Sequence, residues 1–205
     1  MAAADEVEIA NQALHKLGKR RITSFADDTK EARVVNDTYD KFYRAVLEDH
    51  KWDFAMQRQV LAVDAGNPPL FGYSSTFNIP TNSARVWDVV RNDTNAQYGW
   101  GYVEITPIDF TIEGRRIYTR TAWSEVGCIF IRNDVPTTDF SAAFVDALAT
   151  RLAFEWCETL AAGTTMKETF FGEYQRKLAD AKGTDSQQGR PDPVTPFEWL
   201  TGRLG

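Results

Sequence analysis

From Asp139 to Lys182 the apolar positions recur at helical spacing. Phe140, Phe144, Leu148, Leu152, Trp156 and Leu160 follow one another every four residues, and Val145, Ala149 and Ala153 widen that row into a broad face. After Ala162-Gly163-Thr164 a second row runs through Met166, Phe170, Tyr174 and Leu178, flanked by Phe171. The spacing predicts two helices joined by a tight break. Gly163 is expected to end the first in a left-handed conformation. Thr165 with Glu168 is expected to form a capping box at the start of the second. Two helices so closely joined must pack antiparallel, yet each leaves apolar surface that the other cannot cover. Helices from elsewhere in the chain must complete the core.

The N-terminal segment supplies them. Ile9, Ala10, Ala13, Leu14 and Leu17 lie on one side of a helix over Glu6 to Leu17, with Gly18 as its stop. A second begins near Asp28 and Glu31, carries Ala32, Val35, Tyr39, Phe42 and Val46, and closes through Trp52 and Phe54. Between the two helical ends the period changes. Gln57 to Asp64, Thr76 to Ile79, Ala84 to Arg91 and Gly127 to Arg132 read as strands, and Phe110 to Thr119 reads as a hairpin turning near Glu113-Gly114. Asn92 to Trp100 is polar and tipped with Tyr98 and Trp100, as expected of an exposed loop. Gly183 to Pro196 has glycine, proline, glutamine and serine without periodicity, as in a linker or extended arm. The expected class is therefore α+β. Residues 1–55 and 136–182 form an antiparallel helical bundle, 56–135 a small antiparallel β-rich insertion, and 183–205 an extended C-terminal arm.

Composition narrows the function classes. The 205 residues have ordinary globular content, with 43% hydrophobic and 25% charged residues, so global disorder is not expected. The first residues lack the basic start and apolar run of a signal peptide, and no run approaches the roughly 18 apolar residues of a membrane span. Cys128 and Cys157 are the only cysteines and are expected as buried free thiols. A net charge of −6 argues against a protein that grips nucleic acid, because such binding rests on Lys and Arg meeting phosphates. It leaves room for a surface past which DNA slides. The 13% aromatic content suits a large core or extensive contact surfaces.

Motifs for catalysis are sparse. Gly99 and Gly101 begin a dinucleotide fingerprint, but Glu104 stands where the third glycine belongs. There is no Walker loop, HExxH pair, CxxC or nucleophile elbow. The two histidines, His15 and His50, fall on separate helices. His50 with Asp49 and Asp53 is the nearest thing to a polar cluster; three such residues at a helix end suit a solvated cap better than a ligand set. Asp27-Asp28 likewise suits a cap better than a carboxylate pair for acid–base work. The Asn-Asp-Thr acceptors at Asn36 and Asn92 have no meaning without a secretory route. Lys19-Arg20-Arg21 and Arg115-Arg116 read as solvated surface. Phe197, Trp199, Leu200 and Leu204, with Arg203 among them, have no reason to lie exposed on a free tail and are candidate contacts with a partner or an adjacent subunit.

Several stretches, taken in order, resemble the tail tubular protein A family, the head-to-tail adaptor (gatekeeper) of short-tailed bacteriophages. These are Glu8-Ile-Ala-Asn-Gln-Ala-Leu-His-Lys-Leu-Gly-Lys with Ile22-Thr-Ser-Phe, the helix ending Trp52-Asp-Phe-Ala55, and Phe71-Gly-Tyr through Phe77-Asn-Ile-Pro80. Arg85-Val-Trp-Asp-Val, Glu113-Gly-Arg-Arg-Ile-Tyr-Thr119, the Phe140 to Leu160 helix and the Tyr174 to Ala181 helix complete the set. The sequence departs from the family at Asn82, where an acidic residue often follows the proline, and in the tail beyond Gly183. The resemblance implies a homo-oligomeric ring, twelve-fold in that family. It sits between the portal protein and a tail nozzle of tail tubular protein B type, and genomic DNA passes through without sequence-specific binding. It also implies a virion protein made in the host cytoplasm, with no membrane partner, no cofactor, no metal and no catalytic residue. In that setting the tail with Phe197, Trp199, Leu200, Arg203 and Leu204 is expected to reach the portal or an adjacent subunit, and Tyr98 and Trp100 to face the nozzle. Two rivals stand beside this reading: a head-completion or connector protein of another tailed phage, and a small hydrolase using Asp49, His50 and Asp53.

Overall fold

A computed structural model describes residues 5–92, 107–161 and 164–187. The class is mixed α+β, with helices at both ends of the described chain and strands between. Helix α1 (Glu6–Lys16) starts at Asp5, whose carboxylate accepts the Glu8 N–H, and ends at Gly18, where φ is +65°. The amide N–H of Lys19 then returns to the Leu14 carbonyl, satisfying an acceptor the helix itself cannot. The loop that follows is pinned by the buried Asn11 side chain, which donates to the Ile22 carbonyl at 2.9 Å and accepts its N–H at 2.8 Å.

Helix α2 (Lys30–Glu48) is capped by Thr29, not by the expected Asp28. Asp28 pairs with Arg33, and Asp27 accepts from Thr23 and Ser24 and so closes the preceding loop. The inner face carries Tyr43 fully and Phe42 only partly, because the four-residue step from Tyr39 follows the helix better than the three-residue one. This helix stops at Glu48, short of the predicted close at Trp52–Ala55, and a single 3-10 turn spans Asp53–Ala55. Trp52 lies between the two, fully buried, and its indole N–H donates to the Val46 carbonyl at 3.0 Å. The ring thus gives a second, shorter bond to a last-turn carbonyl that otherwise takes only the Asp49 N–H at 3.4 Å.

Helix α3 (Ala142–Trp156), capped by Ser141, continues as a wider π-type turn over Cys157–Ala161. Its row of Phe144, Leu148, Leu152 and Trp156 is buried as the spacing predicts, while Phe140 precedes the helix and packs on Tyr43, Phe54 and Phe144. Helix α4 (Thr164–Ser186) begins one residue before Thr165, and the side chain of the expected cap lies outside the described residues. It runs four residues past Lys182, so the first part of the predicted arm, Gly183 included, is helical. The expected C-cap Gly163 lies outside the described residues.

Among the described residues six strands make two antiparallel sheets. In the first, β1 (Met56–Ala62), β6 (Glu125–Arg132) and β3 (Ser83–Val90) lie in that order; in the second, β2 (Ser75–Asn78), β5 (Arg116–Thr119) and β4 (Phe110–Glu113). The β4–β5 hairpin turns at Gly114, whose φ of +61° a side chain would strain. Leu61, Val89, Val126, Cys128 and Phe130 of the first sheet meet Phe77 and Ile117 of the second in a small core. A larger core gathers α1 to α4 with Trp52 and Ile131. The two regions meet where Met56, Ala84 and Ile131 touch the helices and the Arg85 guanidinium donates to the Glu48 carbonyl at 2.7 Å. Cys128 and Cys157 are buried and are joined in no disulfide among the described residues.

Candidate functional site

The polar group with the most unusual surroundings is His50. It follows the end of α2, and the last turn of α4 brings Asp185, only 3% exposed, against it. The His50 Nε2 lies 3.4 Å from Asp185 Oδ2 but makes no aligned hydrogen bond, so the contact is electrostatic in kind. Asp185 is held instead by the backbone: the Asp53 N–H donates to its two oxygens at 3.3 and 3.2 Å. Trp52 stands edge-on to the imidazole with centroids 4.8 Å apart. Burial pushes the His50 pKa down, against the pull of the Asp185 carboxylate, and burial pushes Asp185 up, against the Asp53 N–H.

The predicted set of Asp49, His50 and Asp53 does not assemble. Asp49 turns away to pair with Lys182 at 3.1 Å, and Asp53 contributes its backbone N–H to the cluster. Asp185 was missed because it lies in a stretch without periodicity and 135 positions from His50. A histidine beside a carboxylate can orient or accept a proton, and the described contacts of the His50 ring are with the Asp185 carboxylate and the Trp52 ring. What the arrangement does is tie the end of α4 to the junction of α2 and β1. Among the described residues no group of three or more His, Cys, Asp or Glu side chains is placed to hold a metal ion, and no helix is long and apolar enough to cross a membrane.

A second polar cluster crosses the helices. Lys177 of α4 pairs with Asp146 of α3 at 2.6 Å and with Glu173 at 3.1 Å, and Lys16 of α1 pairs with Glu173 at 3.0 Å. Burial opposes the charge on Glu173, but hydrogen bonds from Lys16 and Lys177 outweigh it and hold the carboxyl below the usual range. Charges that join three helices in this way fix their relative placement.

The predicted contact residues Tyr98, Trp100, Phe197, Trp199, Leu200, Arg203 and Leu204 lie outside the described residues. Within them, sequence reasoning missed the most exposed apolar pair. Leu70 and Phe71 are 93% and 86% exposed at the tip of the β1–β2 loop. The signal was present: two large apolar residues directly after Pro68-Pro69, outside any strand alternation. Smaller apolar exposures occur at Val60, Met166 and Phe171. Compared with known protein families and with curated proteins, the chain matches none.

Proposed function

We propose that this chain is a structural virion protein, a head-to-tail adaptor subunit that joins a phage portal to the tail nozzle in a closed ring. DNA passes through the ring without sequence-specific contact. In this reading the helices form an antiparallel bundle made by the two ends of the chain, the strands are an insertion, and the residues after α4 are an arm reaching the portal or a neighbouring subunit. Tyr98 and Trp100 face the nozzle. The protein acts in the virion after synthesis in the host cytoplasm, and it performs no reaction.

The observation that carries the reading is the shared core of α1, α2, α3 and α4, with a separate small core in the strands between. A body closed on itself at both ends and presenting a strand region outward suits a joint between larger parts. The net charge of −6 gives DNA little to adhere to. The order of the stretches that resemble tail tubular protein A supplies the identity of the parts joined. Against the hydrolase alternative stands the engagement of Asp49 by Lys182, which takes it out of the predicted set.

The test is imaging of the purified chain with and without purified portal. Rings on the portal are the expected result. A chain that never binds portal, or that turns over ester or phosphoester substrates in a His50-dependent way, would overturn the reading. Removal of residues 188–205 is expected to weaken portal attachment, and replacement of Tyr98 and Trp100 by serine to weaken nozzle attachment while leaving the ring intact.

A further inference from the structure

The last turn of α4 is not one that its own residues favour. Gly183, Thr184, Asp185 and Ser186 are all poor helix formers, and an acidic side chain at a helix C-terminus opposes the dipole. The Thr184 and Ser186 hydroxyls donate back to the carbonyls of Asp180 and Lys182 at 2.9 and 2.8 Å, a bond that slightly destabilises a helix. Past the half-buried Lys182, Asp185 is buried while Gly183, Thr184, Ser186 and Gln187 are exposed. The turn is therefore held from outside, through one carboxylate.

That carboxylate meets a closed corner. Its two oxygens accept the Asp53 N–H at 3.3 and 3.2 Å, at the long end of such bonds. The His50 imidazole arrives from the end of α2 with Nε2 at 3.4 Å, and the Trp52 ring stands edge-on to it. The charged groups that face His50 are Asp49 beside it and Lys182 and Asp185 on α4; Asp53, in the following 3-10 turn, faces Asp185. Asp49 and Lys182 are paired with each other at 3.1 Å, about one turn before Asp185. The His50 Nε2 atom is sealed from solvent and has no hydrogen-bond partner. A neutral ring tolerates this, since its one hydrogen can sit on Nδ1 and leave Nε2 a bare acceptor. A protonated ring does not: Nε2 must then carry a hydrogen, in a place closed to solvent and without an aligned acceptor.

We infer that His50 and Asp185 form an acid-released latch: a proton on His50 frees the last turn of α4, residues 183–187, while the Asp49–Lys182 pair keeps the rest of the helix in place. Burial supports this direction, because it holds the His50 pKa below its ordinary 6.5 in the closed form. With the turn opened, the ring is wet and titrates near its ordinary value. Between that pH and the depressed one, the open form takes the proton and the closed form does not. Histidine is the side chain whose ordinary pKa falls in this range, so the Asp49–Lys182 pair has no part in the release. Asp185 sets the lower limit. Burial raises its pKa, so at still lower pH the closed form takes up a proton first and the release stops growing. The mechanical result is that residues 188–205 are tethered from Lys182 in place of Gln187. The latch belongs to the fold and is independent of the adaptor reading.

Amide hydrogen exchange in the full-length chain, corrected for the intrinsic rate at each pH, tests it. From pH 7.5 to 5.5, exchange in residues 184–187 should quicken by up to about tenfold, the limit that one proton taken up near pH 6.5 sets over that interval. Small additions of urea should leave those rates unchanged while they quicken exchange in α3, as a local opening requires. His50→Gln should abolish the pH response while circular dichroism at pH 7.5 stays unchanged. The chain has only two histidines, so nuclear magnetic resonance can follow the His50 titration directly. Its midpoint should lie below 6.5, and the amide signals of Thr184 to Gln187 should move with the same midpoint. Constant exchange in the last turn would overturn the inference. Exchange that slows in acid, or a His50 midpoint above 6.5, would overturn it by showing that the proton tightens the contact. So would a pH response that survives in H50Q, or one that shares the urea dependence of α3.

Discussion

Most apolar rows of the helical region face one another, whereas the two sheets share one thin core, and the opposite face of the first sheet reaches the helices only near Met56, Ala84 and Ile131. Helices α1, α2 and α4 all pack on α3, and aromatic rings of Trp52, Phe54, Phe140 and Phe144 stand edge-to-face or tilted within 6 Å of one another. The strand core is a single thin layer around Phe77, Ile117 and Phe130. Its outer faces carry half-exposed valine, tyrosine and arginine side chains. Burial at about 25 cal/mol per Å² makes the first region the thermodynamic anchor. The second gives up burial and keeps more exposed apolar surface.

The comparison can be broken most forcefully at Trp156. It is 1% exposed and its indole N–H donates to Thr38 Oγ1 at 2.8 Å, so Trp156→Ala should cost about 3–5 kcal/mol in urea unfolding. Because α2 and α3 both lose that contact, helical circular dichroism should fall together with stability. Phe77→Ala removes a fully buried ring from the thin core and should cost up to about 3–5 kcal/mol within the strands. If the regions differ as the packing says, hydrogen exchange will quicken in β2, β5 and β6 while α3 stays protected. Uniform quickening would make the two one cooperative unit.

Smaller changes sharpen the picture. Thr29→Ala removes the acceptor for the Ala32 N–H at the start of α2 and should cost about 1 kcal/mol by thermal or urea melting. The weakest expected effect is that of acid on His50. Its folded pKa lies below the ordinary 6.5, so the folded state takes up its proton later than the unfolded chain does. The His50 contribution is present above pH 6.5 and is lost as pH falls from there through the depressed folded value. Asp185, raised above 3.8, acts in the opposite sense at lower pH, where the folded state takes up a proton first. Stability measured from pH 7.5 to 5.5 should decline, and His50→Gln should flatten that slope.

How much of this could be read in the sequence depended on how local the cause was. The α3 and α4 rows, the Gly18 stop and the Gly114 turn each follow from residues within one or two turns of each other, and they fall where the pattern puts them. The end of α2 did not, because Trp52 keeps helical spacing while its indole folds back to the Val46 carbonyl, a bond invisible to periodicity. Thr29 and Asp28 are both good caps by type, and only the loop held by Asp27 decides between them. The partner of His50 is brought to it by tertiary packing, for which no spacing rule exists. The exposed Leu70-Phe71 pair was legible as an anomaly rather than as an element.

The hold that Asp185 takes on Asp53 has one further consequence. The carboxylate grips the main chain, so the grip needs no particular side chain at position 53, although the negative charge of Asp53 pushes the Asp185 pKa up. Of the twenty amino acids only proline, which lacks the amide hydrogen, would abolish it outright. The fastening therefore rests on an amide hydrogen at 53 and on one carboxylate at 185, and substitutions that loosen the end of α4 should map to 185 and, at 53, to proline alone.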